Sequence, residues 1–268
     1  MSKAIKRDYD RLAAAGRVTL VGAGPGAADL LTIRGQRALS ESDVVVYDDL
    51  VNQELLDFCP LEAERIYVGK RAGQHCMAQE EISAILVQEA GLNRHVVRLK
   101  GGDPLIFGRG GEEIRALAEA GIPYEIVPGV TAAVAAGAMA GIPLTVRGEA
   151  SAVVFVTGHE CAKQAGEAGV DWAALAKTGA TLCIYMGVRR LPEIARALRE
   201  GGLTADTPLA VVAHATLPQQ TVHVGTLASA DELSTTLRGQ PALIIVGEVV
   251  RWAELSQAAL SQGIAAGV

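Results

Sequence analysis

Residues 97–113 read VRLKGGDPLIFGRGGEE, a run in which Lys100, Asp103, Arg109, Glu112 and Glu113 stand among five glycines. Acids, bases and glycines at this density suit close approach of main-chain groups to a polar ligand, with charged side chains placed to steer it. A connection that only turns needs one or two glycines. Two more glycine-rich turns carry the same signal, Gly22-Ala23-Gly24-Pro25-Gly26 and Pro128-Gly129-Val130-Thr131-Ala132-Ala133. Asp48, in the segment YDDLV, adds a carboxylate that could serve as a general base or as a plain loop anchor.

Each of these turns follows a short apolar, often β-branched run, at residues 18–21, 44–47, 96–99 and 124–127, with a further run at 66–68. Stretches of helical periodicity at 30–39, 82–90 and 114–120 lie between them. Strands alternating with helices predict an α/β domain with a largely parallel sheet, and ligands of such sheets bind outside the carboxyl ends of the strands. One pocket built from all three glycine loops is the expectation. After Gly141-Ile142-Pro143 the pattern restarts, with strands expected at 152–157, 181–185, 209–213, 221–225 and 243–246 and helices near 191–199 and 252–260. This predicts two α/β domains, 1–145 and 146–268, joined near residues 141–150. The polar stretch 162–170 reads as an exposed loop.

The chain has 268 residues, half of them hydrophobic, enough for one large or two ordinary cores. A net charge of −6 disfavours nucleic acid and anionic membrane as partners. Residues 1–17 read as a polar arm rather than a signal, so cytoplasmic is the expected location. The Ala- and Gly-rich segment 127–146 carries prolines near both ends and reads as a buried helix rather than a membrane span. Cys59, Cys76, Cys161 and Cys183 lack CxxC spacing and are expected as reduced thiols. His75, His95, His159, His214 and His223 show no metal-ligand spacing, so no metal is expected.

Gly22-x-Gly24-x-x-Ala27 after the first strand, with Asp48 after the second, fits a dinucleotide fingerprint. Against a nicotinamide enzyme stands Pro25, which removes an N–H where a pyrophosphate needs donors. That reading also leaves the other two glycine loops without a role.

VGAGPG at 21–26, YDDLV at 47–51, VGKRAGQH at 68–75, RLKGGDPLIFGRGGEE at 98–113, VPGVTAA at 127–133, GIPLT at 141–145, VTGH at 156–159 and YMG at 185–187 together resemble the tetrapyrrole methyltransferases that act on uroporphyrinogen III. The resemblance extends over roughly residues 17–250. It implies two α/β domains, a mostly parallel N-terminal sheet and a mixed C-terminal one, with S-adenosylmethionine in the cleft between them. It implies methylation of carbons 2 and 7 of uroporphyrinogen III, giving precorrin-2 by way of precorrin-1 for siroheme, cobalamin or heme d1 synthesis, with S-adenosylhomocysteine as the other product. A homodimer is implied too.

By this resemblance Pro25, Gly101, Gly102, Asp103, Ile106, Thr131, Ala132, Met186 and Ala215 contact the cofactor. Asp48 is the proton acceptor and Lys70 the proton donor, while Arg71, Arg109, Glu112 and Arg147 meet the carboxylate-rich substrate. For Met186, packing in the core is the competing reading; for the cations, it is a solvated surface. Asp103 could accept from ribose or amine groups. Departures from the family pattern fall mostly on the substrate side: Asp49 stands for a common Arg, Val146 for His, Leu105 for Phe, Ala78 and Ser83 for Pro and Asn, and Val134, Ala135 and Met139 for Ser, Gly and Tyr. Ala215 stands near a usual Gly. A methyltransferase for a later precorrin, and a non-catalytic S-adenosylmethionine-binding protein, stay open as alternatives. No dehydrogenase or chelatase module is expected, since only about seventeen residues precede the first strand.

Overall fold

The computed structural model describes residues 16–69, 77–159 and 169–255. Expectations for Lys70, Arg71, His75, Cys76, Cys161, the arm through residue 15 and most of the 162–170 loop lie outside them. The chain divides into two compact units between Thr131 and Ala132. This lies ahead of the 145/146 boundary expected from the motifs, because the Ala-rich helix after Thr131 packs on a strand of the second unit.

The first unit runs β1 (Arg17–Gly22), α1 (Ile33–Ser40), β2 (Val44–Tyr47), β3 (Glu64–Tyr67), α2 (Gln79–Gly91), β4 (His95–Lys100), α3 (Gly110–Glu119) and β5 (Tyr124–Val127). All five strands are parallel, in the order β3-β2-β4-β1-β5. Alternation of side chains sends Val45, Val97, Leu99 and Val21 to one face, with Leu39, Leu55 and Leu56. Val18, Val44, Val46 and Val96 go to the other face, with Ile82, Leu86 and Leu117 from α2 and α3. With both faces covered, β4 is buried along its whole length. Its even positions, Val96, Arg98 and Lys100, share the α2/α3 face.

The second unit runs α4 (Ala132–Ala140), β6 (Val153–Thr157), α5 (Trp172–Ala176), β7 (Thr181–Tyr185), α6 (Leu191–Glu200), β8 (Pro208–Ala213), β9 (Thr221–Thr226), α7 (Ala230–Thr236) and β10 (Ala242–Val246). Its sheet is mixed, in the order β6-β7-β10-β8-β9, parallel only between β6 and β7. Because β10 runs against both of its neighbours, β6, β7 and β8 end on the same edge. Leu182, Ile184, Leu209, Val211 and Ile244 form one core with Leu191, Ile194, Leu198 and Leu233. No helix among the described residues is long and apolar enough to cross a membrane.

All ten strand runs read from the sequence are strands. The expected helix over 127–146 is confined to α4, since Val127 ends β5 and Gly141 ends the helix with φ of +66°. The expected helix at 30–39 begins only at Ile33, where the Thr32 hydroxyl oxygen accepts from Gly35 N–H at 3.1 Å.

Candidate functional site

The loops after β1, β4 and β5, three adjacent strands, meet at the carboxyl edge of the first sheet. Ala23 N–H donates to the Lys100 carbonyl at 2.7 Å, and Gly24 and Gly102 exchange two main-chain bonds of 3.2 and 2.7 Å. A Cβ on Gly22 would fall 2.5 Å from Gly129 N and 2.7 Å from Gly102 O, and one on Gly129 only 2.2 Å from Gly102 O. Glycine is thus required at Gly22 and Gly129 by backbone meeting backbone. Asp103 completes the weld, since Oδ1 accepts from Leu105 N–H at 2.9 Å and Oδ2 from Gly129 N–H at 3.1 Å. The carboxylate therefore ties one loop to another, a role the sequence reading did not give it. Pro25 is partly exposed beside this weld.

The dinucleotide reading fails here. A dinucleotide-binding sheet places β1 beside β2, whereas β4 separates them in this one. The glycine turn also leads into a short 3-10 turn, Ala28–Leu30, so no helix N-terminus faces it. Asp48 is engaged by a cation rather than available to a ribose.

That cation is Arg98. Asp48 lies one residue past β2, next to β4, and its Oδ2 accepts from Arg98 Nη2 at 2.8 Å while Oδ1 accepts from Leu50 N–H at 3.2 Å. Arg98 donates its Nε to Glu113 Oε1 at 3.1 Å and its Nη1 to the carbonyls of Val46 and Leu99. Glu113, fully buried in the first turn of α3, also takes Lys100 Nζ at 3.0 Å and Gln79 Nε2 at 3.1 Å on the same oxygen. Burial, and then the neighbouring Arg98, push the Lys100 amine below its usual range, with Glu113 opposing. Beside Asp48, Asp49 accepts from the Tyr67 hydroxyl, and the Tyr67 ring meets Tyr47 edge-on.

Arg109 and Glu112 do not stand apart. Arg109 Nε and Nη2 donate to both Glu112 oxygens at 2.7 and 2.6 Å, forming an exposed fork at the start of α3. The pair with Arg109 holds the Glu112 carboxyl below the usual carboxylate range. Arg109 and Phe107 both adopt positive φ, +56° and +52°. Leu50, Leu105 and Phe107 are exposed apolar side chains around these loops, while Ile106 is half-buried. Leu50 Cβ lies 2.8 Å from where a Gly101 Cβ would be, so glycine at 101 makes room for Leu50.

In the second unit, the ends of β6, β7 and β8 carry the corresponding loops. Gly158 N–H donates to the Tyr185 carbonyl at 2.7 Å, and a Cβ on Gly158 would meet Gly187 Cα at 2.4 Å. Met186 follows β7 with φ of +54° and its side chain 54% exposed, which excludes the core-packing reading. His214 and Thr216 flank Ala215 with φ of +49° and +73°, and His214 N–H donates to the Pro241 carbonyl. Three non-glycine residues in the left-handed region at one sheet edge, one of them β-branched, mark a strained rim. Tyr185, the last residue of β7, accepts from Ala133 N–H at 3.1 Å and so fixes the start of α4, where Thr131 is buried and Ala132 half-buried. Arg147 is exposed in a tight turn closed by Val146 and Ala150.

Sequence reasoning missed Arg98, and it set Lys100 and Glu113 in a ligand loop rather than in a buried charge cluster. Their signal was present: charged residues two apart in a buried strand must find a buried counter-charge. His95, at the amino end of β4, is a satisfied core histidine, with Nε2 on Thr19 Oγ1 and Nδ1 on the Glu41 carbonyl at 2.9 Å each. No group of three His, Cys, Asp or Glu able to hold a metal occurs among the described residues. Cys59 and Cys183 are free and buried, and burial raises the Cys183 thiol to about 12.

A family model for tetrapyrrole (corrin/porphyrin) methylases matches residues 17–231. A siroheme synthase from Thiobacillus denitrificans is 51% identical over 242 residues, which are 90% of this chain and 50% of that protein. The chain thus spans about half the length of the curated relatives it matches. The crystal structure of uroporphyrin-III C-methyl transferase from Thermus thermophilus complexed with S-adenyl homocysteine is 42% identical. It covers 88% of this chain and 99% of that one, with a TM-score of 0.74. A cobalt precorrin-4 methyltransferase is similar at 29% identity and a TM-score of 0.76, over 87% of this chain and 95% of that one.

Proposed function

Since the chain belongs to the tetrapyrrole methylases, we propose that it transfers methyl groups from S-adenosylmethionine to carbons 2 and 7 of uroporphyrinogen III, giving precorrin-2 by way of precorrin-1. The observation that carries this reading is the welded edge of the first sheet. There, three glycine loops are bonded to one another, and the loop after the neighbouring strand β2 carries Asp48, a carboxylate fixed in orientation by two hydrogen bonds.

The residues present fit the cofactor. Gly101 and Gly102 add no side chain, Asp103 stiffens the loop, and Met186 offers a half-exposed thioether. In this reading Pro25, Gly101, Gly102, Asp103, Ile106, Thr131, Ala132, Met186 and Ala215 hold it. When bound, S-adenosylmethionine supplies an electrophilic methyl on sulfur: the S–CH3 bond breaks as a C–C bond forms at the ring carbon. The chain's own work is alignment, which in favourable intramolecular systems is worth about 7 to 11 kcal/mol, and removal of the ring proton. Asp48 accepts that proton as its carboxylate; Lys70 serves as donor. Arg109, held in its fork by Glu112, and Arg147 on its exposed turn present guanidinium groups to substrate carboxylates, with Arg71.

The proposal extends to a cytoplasmic homodimer in siroheme or cobalamin synthesis. The likeness to a cobalt-precorrin enzyme and the acid at Asp49 favour a later precorrin as the second reading. Carbon-13 labelling of the transferred methyl distinguishes the two. Two labelled methyl groups on saturated carbons of two different rings are expected by NMR. Label on a different carbon, or transfer only to a later precorrin, overturns the first reading.

A further inference from the structure

We propose that Arg98 is a positioning residue for Asp48 and that Glu113, from α3, anchors Arg98 in that role. The inference rests on the reading of Asp48 as the proton acceptor. The geometry is a relay of fixed contacts. Glu113 Oε1 gathers Arg98 Nε, Lys100 Nζ and Gln79 Nε2, and the far side of the same guanidinium reaches Asp48.

Glu113 is fully buried, and the side chains of Arg98 and Lys100 are 3% and 4% exposed, whereas Asp48 is 28% exposed. Three charges lie in the interior, and only the fourth has a face toward solvent. Two cations face two carboxylates, so each carboxylate has a cationic partner. Stability gives a poor reason for such a cluster, because apolar residues of similar volume usually serve a core as well or better. Orientation gives a better one. Two hydrogen bonds, from Leu50 N–H and Arg98, fix the carboxylate plane of Asp48, and Glu113 prevents Arg98 from turning away.

The charged and titratable groups facing Asp48 are Arg98 and Lys100 from β4, with Glu113 of α3 behind them. Asp49 and Tyr67 lie beside it, among the described residues. Arg98 and Glu113 act on turnover through Asp48, so their effect should vanish once Asp48 is replaced, which a purely structural role would not reproduce.

The test compares kcat and KM of methyl transfer to uroporphyrinogen III by the full chain, for the wild type, Asp48→Asn, Arg98→Gln, Arg98→Lys and Glu113→Gln, and for the Arg98 and Glu113 changes made in the Asp48→Asn background. S-adenosylhomocysteine binding is measured in each as a check on folding. Asp48→Asn is expected to lower kcat by about 10² or more. Arg98→Gln and Glu113→Gln should each lower kcat with little change in KM, Arg98→Lys should restore part of the loss, and none of them should lower kcat further once Asp48 is Asn. Unaltered turnover in Asp48→Asn defeats the assignment of the base itself. A loss in Asp48→Asn with unaltered kcat in the Arg98 and Glu113 variants, or losses that simply add in the double variants, overturns the positioning role alone. If Arg98→Gln does not fold, unaltered kcat in Arg98→Lys and Glu113→Gln overturns it equally.

Discussion

Among single residues, Asp48 is the one proposed to carry the chemistry, whereas Asp103 ties the architecture, although the sequence makes them look alike. Each is an acid just past a strand, but Asp48 ends on a cation and Asp103 on two main-chain donors. Replacement by Asn should therefore separate them. Asp48→Asn is expected to reduce turnover by about 10² or more while leaving S-adenosylhomocysteine affinity within about twofold, as read by calorimetry and initial rates. Asp103→Ala should weaken both stability and cofactor binding, by about 1 to 3 kcal/mol, because it leaves Gly129 N–H without its acceptor. Equal effects of the two substitutions on binding would contradict the division of labour. The position of Asp48 was legible from its motif. Its partner was not, because Arg98 meets it across a strand pairing fifty residues away in the chain.

Among elements, β4 organises the first unit, with the glycine weld and the charge cluster at its carboxyl end and His95 at its amino end. Burial lowers the His95 ring below its usual value of about 6.5, so the folded protein binds that proton less readily than the unfolded chain. Its contribution to stability is present above about pH 6.5 and is lost as pH falls through the lowered folded value. Urea unfolding at pH 7 and pH 5 should show this loss, and His95→Gln should flatten it; the same pH dependence in the variant would place its origin elsewhere. At the other end, Gly129→Ala brings a methyl 2.2 Å from Gly102 O and should cost about 1 to 3 kcal/mol by thermal unfolding, with weaker cofactor binding. Strand positions were readable because β-branched runs and glycine turns are local signals. Strand order was not, since the insertion of β4 between β2 and β1 depends on contacts distant in the chain. That order is also what separates this fold from the dinucleotide-binding one its first glycine turn imitates.

For the whole molecule, the two units differ in how much the sequence disclosed. In the first unit the motifs marked the glycine loops that the fold joins, but not Arg98. In the second, the signal lay in backbone strain at Met186, His214 and Thr216, which residue types alone do not announce. The chain's place among the tetrapyrrole methylases makes a tetrapyrrole the substrate class to test. The most direct test is anaerobic incubation of the purified protein with S-adenosylmethionine and freshly generated uroporphyrinogen III, following the tetrapyrrole by mass spectrometry. The account predicts addition of two methyl groups in succession, with a singly methylated species appearing first. Tight S-adenosylhomocysteine binding with an unaltered tetrapyrrole would contradict it.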